Sequence, residues 1–137
     1  VYGIKQKSYG EHIGVIPKLI NKIINNEDLI IHGDGSQSYD FVNVKDCAIA
    51  NIKAMQSNAN NLFINVGTGK SISIHYLAKT LLNLFNKKLN IKFKDEVNRP
   101  IIRKRIASKE LARKSIDFEA KIDIENGLKD LVKDFLK

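Results

Sequence analysis

Between Ile16 and Ile24 the apolar residues Ile16, Leu19, Ile20, Ile23 and Ile24 fall at i, i+3, i+4, i+7 and i+8. After a polar gap they give way to Leu29, Ile30 and Ile31, a run too short for a helix. A helical period handing over to a short extended run constrains the chain strongly, because one buries a stripe and the other a face. Pro17 suits the first turn, where its missing N–H is no loss. The handover then repeats. Residues 40–44 alternate as a strand does, and Asn43 can cap a helix from Val44 to about Gln56 with Ala48, Ile52 and Met55 on its buried face and Cys47 and Ile49 beside it. The stretch "NLFINVGTG", residues 61–69, has the pattern of a buried strand running into two glycines. Ser73 can cap a helix carrying Ile74, Leu77, Ala78, Leu81, Leu82 and Phe85, after which Leu89, Ile91 and Phe93 alternate. Ser108 can open a short helix through Leu111 and Ala112, and Asp123 a last one with Ile124, Leu128, Leu131, Val132, Phe135 and Leu136 inward. Four or five helices alternating with short extended segments predict an α/β fold. At 137 residues and 43% apolar content, one domain over 1–137 with one core is expected.

Several function classes are disfavoured. The net charge of +8 is concentrated late, with 8 basic against 6 acidic residues up to position 84 and 15 against 9 beyond it. The sharpest cluster, "RPIIRKR" at 99–105, has no interleaved aromatic residues, so nucleic acid is not the expected partner. No apolar run of about 18 residues could cross a bilayer and no signal peptide is visible, which reads as a cytoplasmic chain. Cys47 is the only cysteine, and His12, His32 and His75 are scattered, so neither a disulfide nor a metal site is expected. "GTGKS" at 67–71 is no P-loop, since the required earlier glycine is Ile64. Neither a strand–GxGxxG–helix arrangement nor a GxSxG elbow is present. "HGDGSQSYDF" at 32–41 has the composition of a phosphate cradle or of a plain turn, and the turn is preferred. Arg99, Arg103 and Arg105 could clamp a diphosphate through forked, charge-assisted hydrogen bonds.

Taken together, "VYG" at 1–3, "GVIPKLINKI" from Gly14, "IIHGDGSQSYDFVNVKDCAIANI" from Ile30, "FINVGTGKSISI" from Phe63 and "FEAKIDIENGL" from Phe118 resemble the C-terminal substrate-binding part of an NAD-dependent nucleotide-sugar epimerase/dehydratase, of the extended short-chain dehydrogenase/reductase family. The resemblance implies a small mixed α/β C-terminal domain with the Rossmann half absent. That missing N-terminal Rossmann domain would be a partner and would bind the NAD of the parent enzyme, so that no cofactor is expected on this chain. It implies a nucleotide-diphosphate sugar as ligand, epimerisation by transient hydride transfer in a UDP-sugar 4-epimerase-like parent, or within the family dehydration, and an isolated chain that is inactive and either self-associates or is marginally stable. By the same resemblance Val15, Ile16 and Pro17 lie near the nucleotide base, Ile30 and His32 flank it, and Asn65 approaches the base or ribose. Arg99 meets the diphosphate, with Arg103 or Arg105 as substitutes because the usual R-P-G-D becomes Arg99, Pro100, Ile101, Ile102. Tyr39 stands where many relatives carry a phosphate-binding arginine, and Asp117 where relatives often carry glycine. A freestanding basic module for a polyanion is the alternative from another class.

Overall fold

The computed structural model describes residues 1–6, 10, 13–95 and 102–136. Helix α1, Val15–Ile24, turns Ile16, Pro17, Leu19, Ile20 and Ile23 inward as the spacing requires. Strand β1, Leu29–His32, follows, with Leu29 and Ile31 in the core and Ile30 and His32 on the other face. The short strand β2, Ser38–Tyr39, precedes helix α2, Val44–Gln56, which Asn43 caps by accepting from the Lys45 N–H. Strand β3, Ile72–Ser73, runs directly into helix α3, Ile74–Leu84, capped by the Ser73 hydroxyl at the Tyr76 N–H. Then come strand β4, Ile91–Lys94, strand β5, Lys104–Arg105, and helix α4, Glu110–Ile116. Helix α5, Ile124–Phe135, closes the order with Asp123 as its cap.

Two small sheets result. In one, β1 and β4 pair in parallel with Leu29 opposite Ile91 and His32 opposite Lys94. In the other, β2 lies between β3, antiparallel, and β5, parallel, with Tyr39 opposite both Ile72 and Arg105. The parallel pair needs a crossover, since parallel neighbours cannot be joined by a hairpin. The α/β class stands as expected. The β3–β2–β5 sheet is mixed, but the further expectation that the Rossmann half is absent needs correction, because the chain has a parallel pair of its own with α1 and α3 packed against β1. Strands alternating with helices in this way are consistent with a Rossmann-type architecture.

The main core joins α1, β1, α3 and α5 through Leu19, Ile20, Ile23, Leu29, Leu77, Leu81, Leu128 and Leu131, and Tyr2 is part of it. A smaller cluster of Ala50, Ala112, Ile116 and Phe118 lies between α2 and α4. Here the structure departs from the expected burial. Ala48, Ile52 and Met55 are exposed and α2 buries Asp46 and Ala50 instead, because the Asp46 carboxylate accepts from the backbone N–H groups of Lys121 and Ile122 at 3.1 Å each. The 61–69 stretch forms no strand among the described residues, and Phe63 is 99% exposed. Helix α4 begins at Glu110 after Lys109, not after Ser108, and ends on Asp117 in the left-handed region at φ 48°. The Lys53 ammonium donates to both the carbonyl and the carboxylate of Asp117, 2.7 Å to the latter.

Candidate functional site

A hollow of about 520 Å³ opens where the C-terminal end of β1 meets the start of α1 and the β3–β2–β5 sheet. Ligands of open α/β sheets sit at such strand ends. Val15 and Leu19 of α1, Ile30 of β1, Phe41 and Ile74 give it apolar walls. His32, Gln37, Tyr39 and Arg105 form a polar side, and Lys18 lies on the rim. The period of two in β1 explains why Ile30 and His32 face the hollow while Leu29 enters the core. Tyr39 reaches it from β2, its ring edge-on to Phe41 at a centroid distance of 6.2 Å. Arg105 arrives on the neighbouring strand opposite Tyr39, so the two share one face of the sheet. The Gln37 amide is held by donating to the His32 carbonyl at 2.8 Å.

Of the residues singled out from sequence, the hollow brings together Val15, Ile30, His32, Tyr39 and Arg105. Ile16 and Pro17 are buried away from it in the main packing. Asn65 is exposed outside the lining, Arg103 pairs with Asp34 at 4.0 Å, and Arg99 lies outside the described residues. Lys18, Leu19, Gln37, Phe41 and Ile74 escaped the sequence reading. Leu19 had a signal, being one helical turn beyond Val15, whereas Gln37 and Phe41 depend on how β2 meets its neighbours. A second hollow of about 360 Å³ beside the start of α5 sets Lys70, Lys109 and Lys121 against Glu119, Asp123 and Glu125, which leaves no net charge to attract an ion.

Both glycine turns are closed by the chain's own carboxylates. Gly33 and Gly35 adopt φ 77° and 75°, and the Gly33 N–H is used by the Lys94 carbonyl at 2.8 Å. The Asp34 carboxylate accepts from the Ser36 N–H at 2.9 Å and hydroxyl at 2.6 Å. These Ser36 bonds, with a smaller contribution from Arg103, hold the Asp34 carboxyl below the usual carboxylate range. Gly35 is required by packing, since a Cβ there would lie 2.9 Å from the Phe93 ring and 3.1 Å from His75 Cβ. At the Gly67–Gly69 turn the donors converge on Asp40. Oδ1 accepts from the Thr68 N–H at 2.9 Å and hydroxyl at 2.6 Å, and Oδ2 from the Gly69 N–H at 2.9 Å and the Ala107 N–H at 3.3 Å. The concave set of N–H groups that would suit a phosphate is thus filled from within. Neither turn fits the diphosphate of a dinucleotide.

Residues 1–67 match the family described as NAD dependent epimerase/dehydratase. Over 98% of this chain the fold is similar to UDP-glucose 4-epimerase with UDP-glucose from Thermotoga maritima, at a TM-score of 0.91 and 31% identity, covering 43% of that chain. The same share of both chains aligns with UDP-N-acetylglucosamine 4-epimerase from Methanobrevibacter ruminantium in complex with UDP-N-acetylmuramic acid, at a TM-score of 0.89 and 36% identity. In sequence, the chain is 36% identical over 84 residues to UDP-N-acetyl-alpha-D-glucosaminuronate decarboxylase of Bacillus cytotoxicus, covering 61% of this chain and 26% of that protein. The chain therefore spans less than half the length of these relatives.

These matches correct several expectations drawn from the resemblance. The chain is not selectively similar to a C-terminal substrate-binding remnant, because the family's own model falls on residues 1–67 and the likeness runs across nearly all of the chain. The expectation that NAD is bound only by a missing Rossmann half, and that this half is a separate partner, falls for the same reason. An isolated, inactive module gains no support, and neither does a freestanding polyanion binder. No described helix is long and apolar enough to cross a membrane, and no described group of His, Cys, Asp or Glu could hold a metal ion. Residues 1–67 thus resemble the NAD dependent epimerase/dehydratase family, and the fold of nearly the whole chain is similar to part of two solved UDP-sugar 4-epimerases.

Proposed function

We propose that the hollow between α1, β1 and the β3–β2–β5 sheet takes a nucleotide-diphosphate sugar, with the base on its apolar wall and the diphosphate at Arg105. The observation that carries the reading is the pairing of Tyr39 and Arg105 on one face of two adjacent strands, at the rim of an apolar hollow. A guanidinium on a fixed strand can meet two phosphate oxygens at once, and the Tyr39 hydroxyl adds one donor beside it. Val15, Leu19 and Ile30 offer a flat ring an apolar surface, and the His32 imidazole stands at its edge. The two solved relatives each hold a UDP-linked ligand, which favours a uridine nucleotide here as well. In this arrangement the residues of the hollow bind and orient the nucleotide.

Isothermal titration of the purified chain with UDP, UDP-glucose and uridine tests this. Saturable binding of UDP is expected, weakened about 10- to 100-fold by Arg105→Ala, the range set by a hydrogen bond between charged groups. Absence of UDP binding, or indifference to Arg105→Ala, would overturn the assignment.

A further inference from the structure

We infer that Asp40 is the positioning residue of this hollow: its carboxylate, set in the donors of the Gly67–Gly69 turn, fixes the strand that presents Arg105. The inference rests on the hollow being a nucleotide-sugar site. Residue 40 grips this strand at two points. Its backbone N–H donates to the Arg105 carbonyl at 2.9 Å, and its side chain accepts from Ala107 two residues later. Arg105 is exposed and β5 is only two residues long, so the strand has little packing of its own to hold it. The other donors to the carboxylate, Thr68 and Gly69, belong to a different segment, and Asp40 therefore ties the far side of the sheet to the turn after residue 66.

The junction leaves no slack. A Cβ on Gly67 would lie 2.5 Å from Ala107 Cβ and 2.7 Å from Asp40 Oδ2, so the turn approaches the carboxylate as closely as a glycine permits. Charge matters as well as shape. Three N–H groups and one hydroxyl surround the two oxygens, so the negative charge of Asp40 is met by donors of the chain itself. The filled donors also cannot compete with Arg105 for a phosphate. Asp40→Asn breaks this arrangement in a defined way. An amide nitrogen on the Oδ2 side would point its own hydrogens at the N–H groups of Gly69 and Ala107, and reversing the amide moves the conflict to Thr68.

The experiment compares UDP with uridine on the full chain. If Asp40 acts through Arg105, Asp40→Asn weakens UDP about tenfold or more and leaves uridine within twofold of wild type. In the Arg105→Ala background it has no further effect on UDP, the non-additivity expected of two residues acting as one. Equal losses for UDP and uridine would mean general loosening of the fold and would overturn the inference. Thr68→Val, which removes the 2.6 Å hydroxyl bond and keeps the backbone donors, covers the case in which Asp40→Asn does not fold. It should weaken UDP by about threefold with uridine unchanged, and an unchanged UDP affinity overturns the inference. If wild type binds uridine and UDP equally, or neither, the reading of the hollow falls with it. UDP preference in wild type retained by both variants defeats the role of Asp40 alone.

Discussion

Gly127→Ala sets two effects against each other at the fourth position of α5. Alanine is favoured over glycine in a helix interior by about 1 kcal/mol, so propensity alone makes the change stabilising. The surroundings say otherwise. A Cβ at 127 would lie 2.0 Å from Tyr2 Oη, 2.7 Å from Tyr2 Cζ and 2.9 Å from Asn43 Nδ2. Tyr2 is 2% exposed, and its rigid ring cannot yield without leaving its place between the cap of α2 and the start of α5. Giving up a buried aromatic side chain costs about 3–5 kcal/mol, and strained accommodation in place about 1–3. Set against the gain in propensity, a net loss of about 2 kcal/mol is expected. Urea unfolding followed by circular dichroism reads it as a lower midpoint at unchanged slope. Tyr2→Phe removes the nearest contact and should restore part of the loss, so the double variant is less damaged than the sum of the single ones. A midpoint raised by Gly127→Ala would refute the reasoning.

Burial pushes the Tyr2 phenol up to about 12, with the Asn43 side chain opposing. Below pH 10 both folded and unfolded chains keep this proton. Between pH 10 and about 12 only the folded chain does, so stability should fall by about 1.4 kcal/mol per pH unit there, and Tyr2→Phe should flatten that slope in urea midpoints. Asp46→Ala leaves the N–H groups of Lys121 and Ile122 without their acceptor and should cost about 2 kcal/mol in the same assay, with Asp46→Asn losing about half as much. Asn43→Ala removes the cap of α2 at a position only 4% exposed and should lower stability by about 1 kcal/mol. Burial raises the Cys47 thiol pKa, so its alkylation at pH 8 should run slower than that of glutathione, and an equal rate would count against the half-buried placement.

Helix starts were the most legible part of the sequence. Asn43, Ser73 and Asp123 each accept from a backbone N–H two or three residues on, which is a local event that needs only the residue type and its position. Burial was legible where a helix packs on the main core, as in α1, α3 and α5, save for Ile24 and Leu136 at helix ends, which are exposed, and it failed in α2. There the inward position belongs to a carboxylate that binds a distant backbone, and hydrophobic periodicity cannot see a buried Asp46. The 61–69 run failed for a different reason. Apolar residues in extended spacing become a strand only when a neighbour supplies the ladder, and none pairs with it among the described residues. At the hollow, Val15, Ile30, His32, Tyr39 and Arg105 could be named one by one, but only the parallel register of β2 and β5 brings Tyr39 and Arg105 side by side. Asp40 read as a turn residue, because its donors are 28 to 67 positions away.

The contact of Tyr2 with α5 joins groups 121 positions apart, from its hydroxyl to the Asp123 carbonyl. During synthesis, therefore, the ribosome must deliver almost everything through residue 135 before the last helix can cover Leu77 and Leu81. Until then the side of α3 that α5 covers stays open to solvent on a nascent chain, the interval in which chaperones act and in which pairing between distant segments makes folding slow.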